Sequence, residues 1–434
     1  MNKQTSAAGR DGYPATLYAA TVSEAPARPA LEGHQQFDIC VVGAGYTGIS
    51  AALHLAEQGF RVAVLESRRV GFGASGRNGG QIVNSYSRDM DHIAARYGED
   101  SARALGSMAF EGNRIIRERL ERYAIRCDLR QGNLFAACNR QQFAAMAEQK
   151  TLWERFGHRE LTLLGESDYR REVGSARYVG ALLDHSGGHL HPLKLVLGQA
   201  AALETLGGVI FENSPMTRLE QGERVVVHTE GGAIEAERAV IAGNAYLGRV
   251  VPALAARAMP CATQIIATEV LDDATARRLL PTDRAVEDGN YLLDYYRLCA
   301  ERRLIYGGGV NYGGRDPASI ERAIRPKMLT TFPELEKVRI DYAWSGRFLA
   351  TLNRLPQFGR LNHNVYYAQG YSGHGVTASH LAGRLIAEVV RGEGERFDAF
   401  AAIPHRHFPG GQRFSVPISA LGAWYYALRD RLGV

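Results

Sequence analysis

Between Phe37 and Glu66 the chain reads FDICVVGAGYTGISAALHLAEQGFRVAVLE, and no other run limits the possible fold as tightly. An apolar strand candidate, Ile39 to Val42, leads straight into Gly43, Gly45 and Gly48 at GxGxxG spacing. Apolar residues then recur at helical intervals (Ile49, Leu53, Leu55, Ala56), and a second apolar run, Val62 to Leu65, stops at Glu66, 23 residues after Gly43. Strand, tight turn, helix, strand and acid, in that order, form the dinucleotide-binding βαβ pattern. Gly43 makes the turn, Gly45 lets a pyrophosphate approach the backbone, and Gly48 lets helix and strand pack closely. The helix start offers unpaired N–H groups and the positive end of a dipole to the phosphates. An acid at the place of Glu66 accepts ribose hydroxyls and disfavours a 2′-phosphate. A lone GxGxxG is weak evidence, and the plain alternative is a βαβ unit that binds nothing. The complete run of elements argues against it.

The segment after Glu66, SRRVGFGASGRNGGQIVNSY at 67–86, is as unusual. Seven of the residues from Gly71 to Gly80 are Gly, Ala or Ser, so the backbone can bend closely around a ligand. Arg77, Asn78 and Gln81 add side-chain donors that a plain linker does not need. Near the other end, Val365 to Val390 repeats the device: a strand VYYAQ, a loop of Gly370, Tyr371, Ser372, Gly373, His374 and Gly375, and an apolar helix through Leu385, Ile386 and Val389. Glycine loops feeding helices at both ends call for a cofactor long enough to touch both, such as FAD. NAD alone leaves the last loop unexplained.

Residues 1–36, with Pro14, Pro26 and Pro29, read as an extended arm that Tyr13, Leu17, Tyr18 and Leu31 hold across the surface. Helical spacing runs from Arg88 to about Tyr123, followed by strand candidates at 126–130 and 133–138 and a helix near 141–156. The segment HSGGHLHPLKLVLGQAAALETLGG, 185–208, reads as a Gly-rich turn, a helix opened by Pro192 and a Gly-Gly stop. Further strands are expected at 208–212, 216–219, 224–229, 238–241, 263–270, 291–298, 302–307 and 338–345, with a helix near 317–330. The expected class is α/β: a discontinuous Rossmann-like FAD-binding domain over 37–86, 187–256 and 355–398, and a mixed-sheet α+β substrate domain over 87–186 and 257–354. An N-terminal arm (1–36) and a C-terminal extension (399–434) flank them. In the extension, Ile418, Leu421, Trp424, Tyr425 and Leu428 share one helical side, read as core or partner packing. Only Arg429 and Arg431 offer a basic face to a membrane surface.

Composition removes other classes. The net charge of +5 comes from 51 basic and 46 acidic residues with no Lys/Arg block, so the chain lacks a nucleic-acid footprint. Cys40, Cys127, Cys138, Cys261 and Cys299 are far apart and form no CxxC pair, which argues against a disulfide framework or zinc site and for a reducing compartment. His185, His189 and His191 lie close together without Cys or carboxylates in a recognised ligand spacing, so no metal is expected. MNKQTSAAGRDGYPAT lacks the apolar core of a secretory signal and no long apolar run exists, so a cytoplasmic protein without membrane insertion is expected.

GAGYTG at 43–48, GFGASGRNGGQ at 71–81, AQGYSGHGV at 368–376 and WSG at 344–346 resemble the FAD-dependent amine and amino-acid oxidoreductases of the D-amino-acid oxidase superfamily. Within it the chain is similar to the gamma-glutamylputrescine oxidase and OrdL-like members, over nearly its whole length. The resemblance implies that Gly43, Gly45, Gly48 and Glu66 hold the ADP half of FAD, with Met216 giving backbone contacts to the adenine. Ser75, Gly76, Arg77, Asn78, Gly79, Gly80 and Gln81 then line the ribityl chain and flavin ring. Gly370, Tyr371, Ser372, Gly373, His374, Gly375 and Val376 close over the pyrimidine end, where the following helix aims its positive end at the ring. Tyr46, Thr47, Ser67, Arg68, Gly73, Ala74, Gly243 and Gly346 complete the implied cofactor set.

The implied reaction takes a hydride from the carbon bearing a neutral amine, and gives an aldehyde, ammonia and, with dioxygen as acceptor, hydrogen peroxide. Sarcosine oxidases of the same superfamily grip a substrate carboxylate with a Lys where this chain has Thr377, and with an Arg near a neighbourhood that here reads Ile82, Val83, Asn84. The resemblance therefore points to a primary or secondary amine without an adjacent carboxylate. Relatives that bind flavin covalently use a His at the place of Gly76 or a Cys near Gly346, so non-covalent FAD is expected. Those with a Lys that activates dioxygen have it where Ile305 stands, which leaves another electron acceptor open. His374, Tyr371, Tyr295, Tyr296 and Trp344 are the catalytic candidates. Tyr295 and Tyr296 alternate on a strand, so one faces substrate and one faces away. His374 in a glycine turn, Tyr371 and Trp344 each have a purely structural alternative, in backbone bonding or core packing. A D-amino-acid or glycine-type enzyme, with Arg297 or Arg347 as carboxylate partner, and a non-catalytic dinucleotide-binding subunit are the competing functions.

Overall fold

The computed structural model describes residues 12–23 and 27–408. The helical side anticipated around Trp424 lies outside them. Two sheets organise the chain. The first runs, in spatial order, Gln357–Asn362, Val365–Gln369, Gly232–Ile241, Gly33–Val42, Val62–Leu65 and Val209–Phe211. From Val365–Gln369 onward every neighbouring pair is parallel. Ile39 and Val41 face one core, shared with residues of the helices Tyr46–Ala56, Pro192–Thr205 and Gly375–Val390. Cys40 and Val42 face another, with Val225, Val227 and Leu254. Strands buried on both faces read as unbroken apolar runs, which is why Ile39–Val42 and Val62–Leu65 stand out in the sequence.

The second sheet has the order Ile340–Thr351, Ala258–Thr268, Leu304–Tyr312, Tyr295–Leu298, Ala285–Asp288, Arg130–Ala137, Gly180–His189 and Gln81–Ile82, with Leu161–Gly165 beside Gly180–His189. Ala285–Asp288 and Arg130–Ala137 pair in parallel; the other neighbours are antiparallel.

Local expectations needed correction in several places: the strand candidates at 126–130 and 133–138 are one strand, Arg130–Ala137, and that at 291–298 is only Tyr295–Leu298. The helical stretch from Arg88 to Tyr123 is three helices, Met90–Tyr97, Glu99–Gly106 and Glu111–Arg122, the first two parted by Gly98. His185 to Gly188 is not a turn but the end of the strand Gly180–His189. Its glycines serve close approach: a Cβ on Gly188 would stand 2.2 Å from the Arg130 carbonyl oxygen of the next strand. The N-terminal arm does more than lie on the surface. Thr16 caps a helix, Leu17–Thr21, and Tyr13, Leu17 and Tyr18 are buried. Tyr18 packs edge-on against Trp344 at 5.2 Å and beside His191 at 4.9 Å, and its Oη accepts from Arg297 Nη2 at 3.1 Å. Among the described residues no helix is long and apolar enough to cross a membrane.

Candidate active site

The glycine turn is built as its spacing requires. Gly43 ends the first strand at φ 105, a left-handed conformation that favours glycine, and its N–H donates to the Leu65 carbonyl at 2.7 Å. A Cβ on Gly48 would stand 1.8 Å from the Gly43 carbonyl oxygen, so helix and turn can touch only with glycine there. The helix Tyr46–Ala56 has no side-chain cap from Gly45; the Tyr46 N–H instead donates to Ser75 Oγ at 2.9 Å. Glu66 ends the adjacent strand. Its Oε2 accepts from the Ala44 N–H at 2.8 Å, and its Oε1 from Ser67 Oγ at 3.1 Å and the Arg68 N–H at 3.0 Å. Three of the about four acceptor positions of a carboxylate are used, so one is left for a ligand hydroxyl.

The loop after Glu66 bends back over this turn. Arg77 and Asn78 direct their donors mainly at their own loop, which corrects the expectation that they supply free ones. Arg77 Nε donates to the Phe72 carbonyl at 2.8 Å, with its guanidinium 4.5 Å from the Phe72 ring centre. Asn78 Nδ2 donates to the Ala74 and Ser75 carbonyls, and its Oδ1 accepts from the Gly80 N–H. Gln81 Nε2, by contrast, is buried without a partner.

The last loop joins the first directly. Tyr371 Oη and Thr47 Oγ1 share a hydrogen bond of 2.7 Å across 324 residues, and the Gly370 N–H donates to Asn244 Oδ1. His374 is half-buried in this loop with Nδ1 unpartnered. Burial and the nearby Arg354 guanidinium bring its pKa down to about 4, so the imidazole is neutral at ordinary pH. The helix Gly375–Val390 starts here without a side-chain cap.

These loops wall one continuous cavity of about 1050 Å³, at the upper end of the roughly 300–1,000 Å³ usual for ligand sites. It brings together Gly43, Gly45, Tyr46, Thr47, Glu66 and Ser67 of the first segment with Gly73, Ala74, Ser75, Arg77, Asn78, Gly79, Gly80 and Gln81 of the second. Met216, Gly243, Gly346 and the run Tyr371–Val376 share the same wall. Gly48, Arg68, Gly76 and Gly370 stand behind the wall and shape it.

Of the two tyrosines, Tyr295 lines the cavity with its ring against Gly79. Tyr296 does not: it faces the opposite core, stacked on Tyr306 and edge-on to Phe332, and leaves the catalytic set. Trp344 is also outside the wall. Its Nε1 donates to the Arg77 carbonyl at 2.9 Å, so it braces the ring loop from behind. Arg297 and Arg347 are not in the wall either, Arg297 being buried with Nε on the Gly79 carbonyl at 2.6 Å.

Sequence reasoning missed Glu287, Tyr291 and Arg354, all cavity residues. They come from a short strand and two loops without a motif. The one available signal was a pair of acids inside the apolar context AVED. Arg354 has φ 62 and its Nη2 donates to Tyr291 Oη at 3.1 Å. His185, His189 and His191 are spent separately, on Thr162, on the Asp283 carbonyl, and on Thr21 and the Lys194 N–H. Among the described residues no group of three or more His, Cys, Asp or Glu converges as a metal site.

The residues present fit FAD. The turn clears a path for the pyrophosphate, Glu66 keeps an acceptor for ribose, and Gln81 Nε2, Tyr246 Oη and His374 Nδ1 are orphaned polar atoms of residues in one wall. Comparison with known proteins agrees. Residues 38–389 match the family model described as FAD dependent oxidoreductase. The chain is 58% identical over 423 residues to the gamma-glutamylputrescine oxidoreductase of Escherichia coli (strain K12), covering 97% of this chain and 99% of that one. It is 40% identical to the probable oxidoreductase OrdL of Haemophilus influenzae, covering 93% and 94%. The crystal structure of glycine oxidase from Geobacillus kaustophilus shares the fold at a TM-score of 0.72 and 22% identity, over 86% of this chain and 99% of that one. The chain thus belongs to the FAD dependent oxidoreductase family, and it is an FAD-dependent oxidoreductase.

Proposed function

We propose that the protein oxidises a primary amine derived from a polyamine, gamma-glutamylputrescine or a close analogue, at the carbon bearing nitrogen. With water the product becomes an aldehyde and ammonia. The observation that carries this reading is the 58% identity to the E. coli enzyme across nearly the full length of both chains. When bound, FAD supplies the two-electron acceptor, to be reoxidised by dioxygen with release of hydrogen peroxide, or by another acceptor. The wall residues of the segment Gly43 to Glu66, with Met216, would hold its ADP half, and Gln81 and the run Tyr371–Val376 would hold the ring. FAD is non-covalent in this reading, because Gly76 and Gly346 stand at the places where relatives attach it, and another acceptor stays open, because Ile305 stands where others have a Lys. Phe135, Met146 and Tyr295 present apolar surface to the substrate and exclude water from it. A small-molecule substrate and a cytoplasmic location complete the reading.

A second reading, oxidation of an α-amino acid, has one observation in its favour. Arg354 lines the cavity and, among the described residues, forms no ion pair with a carboxylate, so it is available to a substrate carboxylate. Anaerobic mixing of the yellow protein with a panel of primary amines and D-amino acids separates the two. Bleaching of the flavin band by polyamine-type amines is expected; bleaching only by amino acids overturns the amine reading.

A further inference from the structure

The proposed reaction leaves one chemical need unmet. An alkyl ammonium has a pKa of roughly 10, and only the neutral amine carries the lone pair that oxidation at the adjacent carbon requires. Glu287 is placed to meet it. It lies on the strand Ala285–Asp288, in the cavity wall, 9% exposed. Its cross-strand partner is Tyr295, whose ring packs on Gly79 of the ring loop, and its neighbour on the other side is Phe135. The carboxylate therefore stands on the sheet floor at the ring end of the cavity.

Its surroundings offer no cation. Among the described residues, no Lys, Arg or His makes an ion pair with Glu287. The one polar side chain that stabilises its charged form is the Asn133 amide, on the same face of the neighbouring strand, and it is neutral. Tyr295 is held neutral by burial. Asp288 is next in sequence and bound by Arg177 at 3.0 Å. The helix Arg140–Arg155 contributes Gln142, Met146 and Gln149 to the wall, none of them titratable. The other wall acids differ: Asp89 accepts from Trp153 Nε1, Gln149 and Ser85, and Asp91 is exposed. An acid buried without a cation beside it is costly to ionise, and one that faces ligand space is complementary to a cationic ligand.

We propose that Glu287 receives the ammonium of the substrate and takes one of its protons: the N–H bond breaks, a carboxyl O–H forms, and the electron pair stays on nitrogen. This rests on the amine-oxidising reading and adds to it the group that selects a cationic amine. Burial lifts the Glu287 pKa to about 8, which brings it toward that of an amine and eases the transfer.

The test uses the flavin-loaded protein and the variants Glu287→Gln and Glu287→Asp, with flavin content and melting temperature confirming that each folds. In anaerobic reduction by a primary amine, the wild-type second-order rate constant rises with pH and levels off above about 8. Glu287→Gln loses on the order of 100-fold and the inflection, and Glu287→Asp restores part of the rate. Binding is read separately with tert-butylamine, which has no hydrogen on the carbon bearing nitrogen, against tert-butanol, from the shift of the flavin spectrum. Wild type prefers the amine by on the order of tenfold, and Glu287→Gln loses that preference. A Gln variant that keeps both the inflection and the preference overturns the role of Glu287 and leaves the amine reading standing. If no amine reduces the wild type, that reading fails, and the preference for tert-butylamine alone decides the role of Glu287.

Discussion

His54, His191 and His380 are buried deep enough that charging any of them costs the fold. Burial is the main cause in each case, lowering His54 and His380 to about 4 and His191 to about 3. The unfolded chain therefore binds more protons than the native one as pH falls through about 6.5, and stability is lost on the acid side. Glu287 works in the opposite sense. Raised from the ordinary 4.5 to about 8, it keeps its proton in the native state where the unfolded chain has released it, so stability is lost as pH rises through that whole interval. The melting temperature of the flavin-free protein should peak at about pH 6.5, and Glu287→Gln should lessen the fall on the alkaline side, leaving the part due to the raised Asp288 carboxyl. A melting temperature level from pH 5 to 9 contradicts this. At this scale the sequence is readable where a residue's type is forced by the backbone. Gly43 and Gly48 were legible because nothing else fits a φ of 105 or a gap of 1.8 Å. Glu287 and Arg354 were not, because what distinguishes them is that, among the described residues, neither has an ion-pair partner, which only the fold reveals.

At the scale of elements, the parallel strands and the helices with clear ends were legible, and the arm was understated. Its helix Leu17–Thr21 sets Tyr18 against Trp344, which bonds the Arg77 carbonyl, and against Arg297, which bonds the Gly79 carbonyl. The arm thus braces the ring loop at two points through residues of the second sheet. Tyr18→Ala removes a fully buried ring and should lower stability by about 3 kcal/mol or more. Tyr18→Phe removes one hydrogen bond to Arg297 and should cost about 1 kcal/mol. Both should retain FAD less well on dialysis, the alanine variant more severely. Denaturant midpoints check the first point and flavin absorbance the second; an unchanged midpoint for Tyr18→Ala contradicts the bracing role. The last residues of the strand Gly180–His189, from His185 on, read as a turn because glycines signal a bend in sequence, whereas here they admit a neighbouring backbone.

At the scale of the molecule, the cavity depends on convergence of distant segments. The βαβ unit near one end, the loop from Gly71 to Gln81 and the loop at Tyr371 wall a single cavity against the second sheet, and the Thr47–Tyr371 hydrogen bond fastens the outer two together. The fold class and much of the cavity wall on the side of the first sheet were legible because glycine-dense loops stand out in the sequence. The substrate side was not, since a mixed sheet contributes isolated side chains from many strands. The direct measurement is a crystal structure of the flavin-loaded protein. The adenine is predicted beside Met216 with the ribose at Glu66, and the ring between Gln81 and the run Tyr371–Val376, facing Tyr295 and Glu287. Flavin bound elsewhere, or a ring that does not reach Tyr371, contradicts the account.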